Sequence, residues 1–388
     1  MSITSIDKEF VSGTYGRFPV ELVSGSGSLL TGSDGKQYID LGSGIGVTAF
    51  GFQDEAWVNA VTAQLGKVQH TSNLYYTEPC ALLAKALCEK TGMKKVFFGN
   101  SGAEANECAI KVARKYSAEK KGPDCYTIIT LINSFHGRTL TTLAATGQDH
   151  FHELFQPLTP GFVHVPANDI GALEQMLSSV KAAGIMLECV QGEGGVMPLT
   201  KEYVQAAASL AAQQDIPLII DEVQTGNGRT GTLYAYMQFG IQPDIVSTAK
   251  GLGGGLPIGA CLMGEKVQYV LGPGDHGSTY GGNPVCCAGA LSVINRLDDE
   301  FLAQVKAKGE YVFSALDGAE GVEGVSGMGL MIGIKTRKPA REVVNACLEK
   351  GVLCLTAKDK VRLLPALNIS MDELCKAIET IKAVCAEE

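Results

Sequence analysis

No stretch of this chain approaches the ~18 consecutive apolar residues that a membrane-spanning helix needs. Its first residues, Met1-Ser2-Ile3-Thr4-Ser5-Ile6-Asp7, have neither the basic start nor the apolar run of a secretory signal. Dense runs of Lys or Arg are missing too, and the net charge is −9, so no nucleic-acid partner is expected. The six histidines are not spaced as ligand pairs, apart from His150 and His152, which read as surface-loop residues. No metal site is expected. There is no C-x-x-C pair among the 12 cysteines; the closest spacing is Cys286-Cys287. Without a secretion signal they read as reduced, small, buried side chains. The expectation is a soluble cytoplasmic protein.

What the chain does have is glycine, 47 residues in 388 and so about 12%, against a usual ~7%. The excess follows no collagen-like period, and 45% of the residues are apolar, as in a packed globular protein. Short apolar runs alternate with longer amphipathic segments, the pattern of a βαβ protein. Strands are expected at 95–98, 126–131, 184–189, 217–220 and Ile245–Thr248, with helices at 104–116, 170–183 and 201–214. From about residue 286 the texture changes: helices at 288–297 and 300–315, short strands near 329–334 and 361–364, and a closing helix Met371–Ala386. The spacing predicts an α/β protein in three parts. These are an N-terminal arm, 1–54, that joins a smaller domain, a large domain over 55–285, and a C-terminal small domain over 286–388.

Four glycine-bearing segments coincide with polar or charged residues, and the first three follow expected strands, where ligands of parallel α/β sheets sit. Gly99-Asn100-Ser101-Gly102-Ala103-Glu104 opens a helix, so its free N–H groups suit an anion such as a phosphate; an ordinary cap at Ser101 reads equally well from this segment alone. Asp221, in Asp221-Glu222-Val223-Gln224, stands at the end of a buried strand and needs a cationic partner: a metal, an arginine or a protonated ring nitrogen. Lys250 follows an apolar strand and is trailed by Gly251-Leu252-Gly253-Gly254-Gly255-Leu256-Pro257, a setting for a ligand pressed against backbone. A lysine amine forms Schiff bases with carbonyls, and partial burial makes it more nucleophilic. The glycine run is a poor dinucleotide fingerprint, because Pro257 falls where a helix should continue. The fourth segment, His276-Gly277-Ser278-Thr279-Tyr280-Gly281-Gly282-Asn283-Pro284, reads locally as a loop. Asp221 and Lys250 are 29 residues apart, room for one crossover between neighbouring strands. An acid, a lysine and an anion seat on one sheet edge are what pyridoxal phosphate requires.

These segments together resemble the class III aminotransferases of the fold type I pyridoxal-phosphate enzymes, and the resemblance runs from Tyr15-Gly16-Arg17 to Val361-Arg362-Leu363-Leu364-Pro365. It implies a large domain with a mainly parallel seven-stranded sheet flanked by helices, plus a smaller α+β domain built from both chain ends. Asn73-Leu74-Tyr75-Tyr76-Thr77-Glu78-Pro79 tilts it to the branch that uses N-acetylornithine and 2-oxoglutarate in arginine biosynthesis. By the resemblance, Lys250 would hold pyridoxal 5'-phosphate and shuttle the proton, and Asp221 would keep the ring nitrogen protonated. Gln224 would bond the phenolic oxygen, while Val223 and Phe135 would cover the two ring faces. Ser101, Gly102 and Ala103 would hold the phosphate, joined by Thr279 of a neighbouring subunit, which makes the enzyme at least a homodimer. Arg138 would clamp the substrate α-carboxylate, the bland alternative being a structural salt bridge. Glu193 and Arg362 would act as a switch, paired for the donor and parted for the dicarboxylate acceptor. Ser278 and Tyr15 would help place the substrate.

Two positions depart from the family pattern: Phe52 stands where a His is usual, and Ala366 where a second proline is common. They bear on the donor rather than on the reaction type. Ornithine, succinylornithine, succinyl-diaminopimelate and 4-aminobutyrate aminotransferases remain rivals within the class. Outside it stand a non-catalytic cofactor-binding relative, which would have no need of Lys250, Asp221 and Arg138 together, and a nicotinamide dehydrogenase resting only on the glycine run.

Overall fold

The computed structural model describes residues 2–387. Met1 and Glu388, the outer limits of the expected parts 1–54 and 286–388, lie outside the described residues. The centre is a seven-stranded sheet in the order Lys95–Gly99, Gly259–Met263, Ile245–Thr248, Leu218–Asp221, Ala182–Leu187, Thr127–Leu131, Phe162–Val165. Only Gly259–Met263 runs antiparallel to its neighbours; the other pairings are parallel. The central strands are buried along their whole length. That is why they read as continuous apolar runs rather than as alternation: helices cover both faces. Helix Gly102–Lys121 packs across the sheet and buries Ala105, Cys108, Ala109, Val112, Ala113 and Tyr116 at three- and four-residue spacing. Ser101 caps its start, and Gly122, at φ +101°, ends it.

Both chain ends build the second part. Strands Leu22–Ser26, Leu29–Gly32 and Gln37–Asp40 form a sheet with Val352–Leu353, which runs parallel to Gln37–Asp40. A further sheet contains Val322–Met328, Met331–Thr336, Lys360–Leu363 and Leu355–Ala357, all antiparallel. Helix Pro284–Arg296, at the division drawn between residues 285 and 286, packs on Glu55–Leu65 and Glu78–Thr91 of the preceding region.

Three expectations shift. The helix expected over 170–183 ends at Ser179, and extended Val180 leads into strand Ala182–Leu187, with no glycine or proline to mark the change. The strand expected at 329–334 is a hairpin of two strands turning at Gly329, φ +55°. Strands Gly259–Met263 and Phe162–Val165 and the three N-terminal ones were not expected; the N-terminal strands pair with one another locally, while Gly259–Met263 and Gln37–Asp40 also take the distant partners Lys95–Gly99 and Val352–Leu353.

Arg229 ties the two parts together. It is 3% exposed, and its Nη1 donates to Leu330 O (3.1 Å) and Pro365 O (2.5 Å), carbonyls of the C-terminal part. Asp40, which accepts from Gly42 N–H (2.8 Å) and Ser43 N–H (3.1 Å), lies close enough to oppose the fall in Arg229's pKa that burial causes. Removing the guanidinium strands two buried carbonyls and a buried carboxylate. Arg229→Met is expected to cost about 3 kcal/mol of stability, read from the urea midpoint.

Candidate active site

Strand Leu218–Asp221 delivers a carboxylate into the interior: Asp221 is 3% exposed. Its Oδ2 accepts from Asn106 Nδ2 and from His136 Nδ1, both at 2.8 Å, and its Oδ1 accepts from Val223 N–H at 3.0 Å. Burial pulls the His136 imidazole down, but the bond to Asp221 and the charges of Asp221 and Glu188 outweigh it, so its pKa is raised. Three donors thus converge on the Asp221 carboxylate and leave it acceptor capacity on the cavity it lines.

Lys250 follows the neighbouring parallel strand, where Asp221 stands opposite Ser247. Its backbone is left-handed, φ +47°, and its side chain reaches the same cavity. Burial lowers its pKa against the opposing pull of Glu193 and Asp221, so that the neutral amine is more accessible than on a free lysine.

The cavity, of about 470 Å³, is also lined by Ser101, Gly102, Ala103, Phe135, Arg138, Val223 and Gln224. At its floor the helix Gly102–Lys121 begins, where the first N–H groups have no intrahelical acceptor. Ser101 Oγ accepts from Glu104 N–H at 3.2 Å, so the cap and the anion seat coexist. A Cβ on Gly102 would stand 2.6 Å from Val223 Cγ1, so glycine here keeps Val223 against the cavity. Arg138 is backed by two rings rather than by a carboxylate, its guanidinium carbon 4.1 Å from the Phe151 centroid and 5.4 Å from that of Phe135.

Behind Gln224 lies an ion pair. Arg362 Nη1 meets Glu193 Oε1 at 2.6 Å and Gln224 Oε1 at 3.2 Å, while Gln224 Nε2 donates to Glu193 Oε1 at 3.2 Å. Burial would raise the Glu193 pKa; the charge and hydrogen bond of Arg362 outweigh it and hold the carboxyl below its usual range.

The other expected residues fall elsewhere. Exposed Thr279 and half-buried Ser278 line a separate cleft with Asn73, Tyr75 and Tyr76. Ser278 touches the Lys250 cavity only through Asn100, whose Nδ2 donates to its Oγ at 3.1 Å. Tyr15 is 72% exposed and stacks with Arg17, away from Lys250. The sequence reading missed Asn106, His136 as a partner of Asp221, Phe151 and Glu188. Asn106 had a signal, being polar on the face that carries Ala109 and Ala113. So had Glu188, a charge inside an apolar run; it is buried, accepts from Phe135 N–H (2.9 Å) and Gly192 N–H (3.3 Å), and burial raises its pKa. No group of three or more His, Cys, Asp or Glu among the described residues could hold a metal. No described helix is long and apolar enough to cross a membrane.

An anion seat, an amine of lowered pKa and a buried carboxylate with spare acceptor capacity suit a cofactor that has a phosphate, a carbonyl and a basic ring nitrogen. Pyridoxal phosphate is such a group, and the donor set around the cavity fits it.

The comparisons agree with this class. The family described as aminotransferase class-III matches residues 10–385. The acetylornithine aminotransferase of Haemophilus ducreyi is 51% identical over 387 residues, covering 99% of this chain and 98% of that protein. That of Methanocaldococcus jannaschii is 43% identical, covering 98% and 97%. Among solved structures, an ornithine aminotransferase from Toxoplasma gondii, described with partial occupancy of PLP, superposes with a TM-score of 0.94 at 30% identity, covering 99% of this chain and 93% of that one. The N-acetylornithine aminotransferase of Stenotrophomonas maltophilia does so with a TM-score of 0.86 at 34% identity, covering 99% and 98%. The chain belongs to the class III aminotransferases, and it is an aminotransferase.

Two outcomes follow from the site. In Gly102→Ala the added methyl must displace Val223 or the helix start, a strain of about 1–3 kcal/mol. The cofactor dissociation constant, read by absorbance titration of the apoprotein, should rise about tenfold or more. Glu222, beside Asp221, is fully buried and accepts from Thr225 Oγ1 (2.5 Å) and Tyr236 N–H (2.8 Å); burial pushes its pKa up to about 7. Its folded pKa exceeds its unfolded one, so its contribution is full below about pH 4.5 and is lost as pH rises through about 7. Relative to Glu222→Gln, the wild-type apoprotein should therefore lose on the order of 2–3 kcal/mol between pH 5 and pH 8 in urea unfolding. A pH-independent difference would exclude the buried proton.

Proposed function

We propose that the chain transfers the 5-amino group of N-acetylornithine to 2-oxoglutarate, giving N-acetylglutamate 5-semialdehyde and glutamate in arginine biosynthesis, with pyridoxal phosphate as cofactor. The observation that carries this reading is the closed Glu193–Arg362 pair, 2.6 Å, beside a cavity whose other arginine, Arg138, faces rings and not a carboxylate. With Arg362 masked, the cavity offers one free guanidinium to the donor's one carboxylate. The donor's ω-amine then lies at Lys250. A dicarboxylate acceptor brings a second anion, which competes with Glu193 for Arg362. One cavity thereby serves two substrates of different charge. The high identity to acetylornithine aminotransferases supports the choice of donor.

When bound, pyridoxal phosphate supplies the carbonyl that takes up the amine and the ring that spreads the charge left on the substrate carbon. The chain supplies the rest. The N–H groups at Ser101–Ala103 hold the phosphate, Asp221 keeps a proton on the ring nitrogen, and Phe135 and Val223 flank the ring. Gln224 bonds the phenolic oxygen. Lys250 Nζ takes a proton from the amine-bearing carbon of the donor and returns one to the acceptor's carbon; its lowered pKa suits both directions. Arg138 fixes the carboxylate end. Thr279 and Ser278, which do not reach the Lys250 cavity of their own chain, are assigned to the site of a second copy in a homodimer. Tyr15 is assigned to the substrate entrance.

Turnover of the holoenzyme with 2-oxoglutarate and a panel of donors tests the reading. N-acetylornithine should exceed free ornithine and 4-aminobutyrate in kcat/KM by about tenfold or more; the reverse order sinks the assignment. In Glu193→Gln, Arg362 loses its mask, so the kcat/KM of glutamate relative to N-acetylornithine should rise about tenfold.

A further inference from the structure

Glu188 stands where two strands of the central sheet end side by side. It directly follows strand Ala182–Leu187, Asp221 ends the neighbouring strand Leu218–Asp221, and the register pairs Leu187 with Ile220. Glu188 and Asp221 are therefore neighbours at the sheet edge, and both line the Lys250 cavity. Glu188 is 5% exposed, and a carboxyl is costly to bury. None of the steps given above uses it.

Its two oxygens serve different loops. Oε1 accepts from Phe135 N–H at 2.9 Å and Oε2 from Gly192 N–H at 3.3 Å. The first loop carries Arg138, and the Phe135 ring centroid lies 5.4 Å from the Arg138 guanidinium carbon. The second carries Glu193, and there Gly192 lies so close to Gln224 that a Cβ would overlap the side-chain amide. Gln224 in turn bonds both Glu193 and Arg362. One carboxyl thus stands behind both anion-binding ends of the cavity, Arg138 through Phe135 and Arg362 through Gly192 and Gln224. A substrate with two carboxylates must meet both arginines at once, so their separation fixes the length it can have. A donor with one carboxylate needs only Arg138.

We propose that Glu188 is a positioning residue that sets the spacing between Arg138 and Arg362, and so selects the dicarboxylate acceptor over acids one carbon shorter or longer. The proposal rests on the dicarboxylate-acceptor reading given above. A second tie joins the same two loops, from Gln191 Nε2 to Ile132 O at 2.9 Å, and keeps them together when Glu188 is changed. Glu188→Gln has one amide oxygen for two N–H groups. The oxygen stays with Phe135, the shorter bond, and the amide NH2 then faces the Gly192 N–H, donor against donor. The Glu193 end gives way, while Arg138 keeps its backing.

Steady-state turnover of the holoenzyme provides the test, because donor and acceptor use the cavity in turn and each kcat/KM reports its own half of the exchange. In Glu188→Gln, kcat/KM for 2-oxoglutarate should fall about tenfold and that for N-acetylornithine only about twofold. The preference for 2-oxoglutarate over oxaloacetate and 2-oxoadipate should shrink about threefold or more. A second readout is inhibition: the constant for glutarate should rise relative to that for butyrate, which has one carboxylate. Glu188→Ala releases both loops, so both kcat/KM values should fall about tenfold or more. Gln191→Leu, which cuts the other tie, should lower the urea midpoint and leave the length preference in place. Equal losses for donor and acceptor in Glu188→Gln, an unchanged length preference there, or the same loss of preference in Gln191→Leu overturn the positioning role and leave the acceptor reading intact. A wild-type enzyme that passes amino groups to pyruvate but to no dicarboxylate overturns the acceptor reading itself.

Discussion

Asp221 is a carboxylate at the end of a strand whose every residue is buried, and the parts of the site hang on the donors that meet it. A carboxylate buried there without partners would be costly. Instead three donors converge on it, each from a different functional segment. Asn106 belongs to the helix whose start forms the anion seat, His136 to the loop that carries Phe135 and Arg138, and the Val223 N–H to the turn that faces Gly102. Solvating the acid and placing the remaining groups are therefore one arrangement. Loss of any one donor would both leave a buried carboxylate oxygen short of a partner and free a segment that bears another function.

The Glu193–Arg362 pair has a different character. Arg362 is 3% exposed, its Nε has no hydrogen-bond partner among the described residues, and both members of the pair also lean on Gln224. A buried ion pair is weak evidence for stability, because desolvation consumes most of the attraction. It is well suited to exchange, since a substrate carboxylate can replace Glu193 at little net cost. The unpartnered Nε leaves room for a second bond in that exchange.

The chemistry was legible in the sequence because it sits in short segments: Asp221 at the end of one apolar run, Lys250 after the next, and a small-residue turn before a helix of clear period. The helix Met371–Ala386 was legible as well, with a Ser370–Glu373 capping box at its start. What was hidden depends on distance. Strand Gln37–Asp40 finds its partner in Val352–Leu353, and Gly259–Met263 lies between two strands it runs against; no local pattern announces such pairings. The Asp221 partners Asn106 and His136 come from 115 and 85 residues away, and Phe151 meets Arg138 only in space. Thr279 was read from the resemblance as serving a neighbouring subunit, and it lines, with Ser278, a cleft apart from the Lys250 cavity of its own chain.

Long-range pairing also decides where Arg362 stands. Its strand continues into Leu364, whose N–H donates to Leu41 O at 2.7 Å, and Leu367 N–H reaches Ala49 O at 2.8 Å. The same N-terminal stretch brings Val47 to the Lys250 cavity. Residues 41–49 thus hold the Arg362 strand on one side and close the cavity on the other. Arg362 and the cavity wall therefore share one backbone support. Glu193 is held by Gln224, three residues beyond the end of strand Leu218–Asp221. The pair consequently joins the antiparallel sheet that carries Arg362 to the seven-stranded sheet. A carboxylate arriving between Glu193 and Arg362 would break that link as well as the pair.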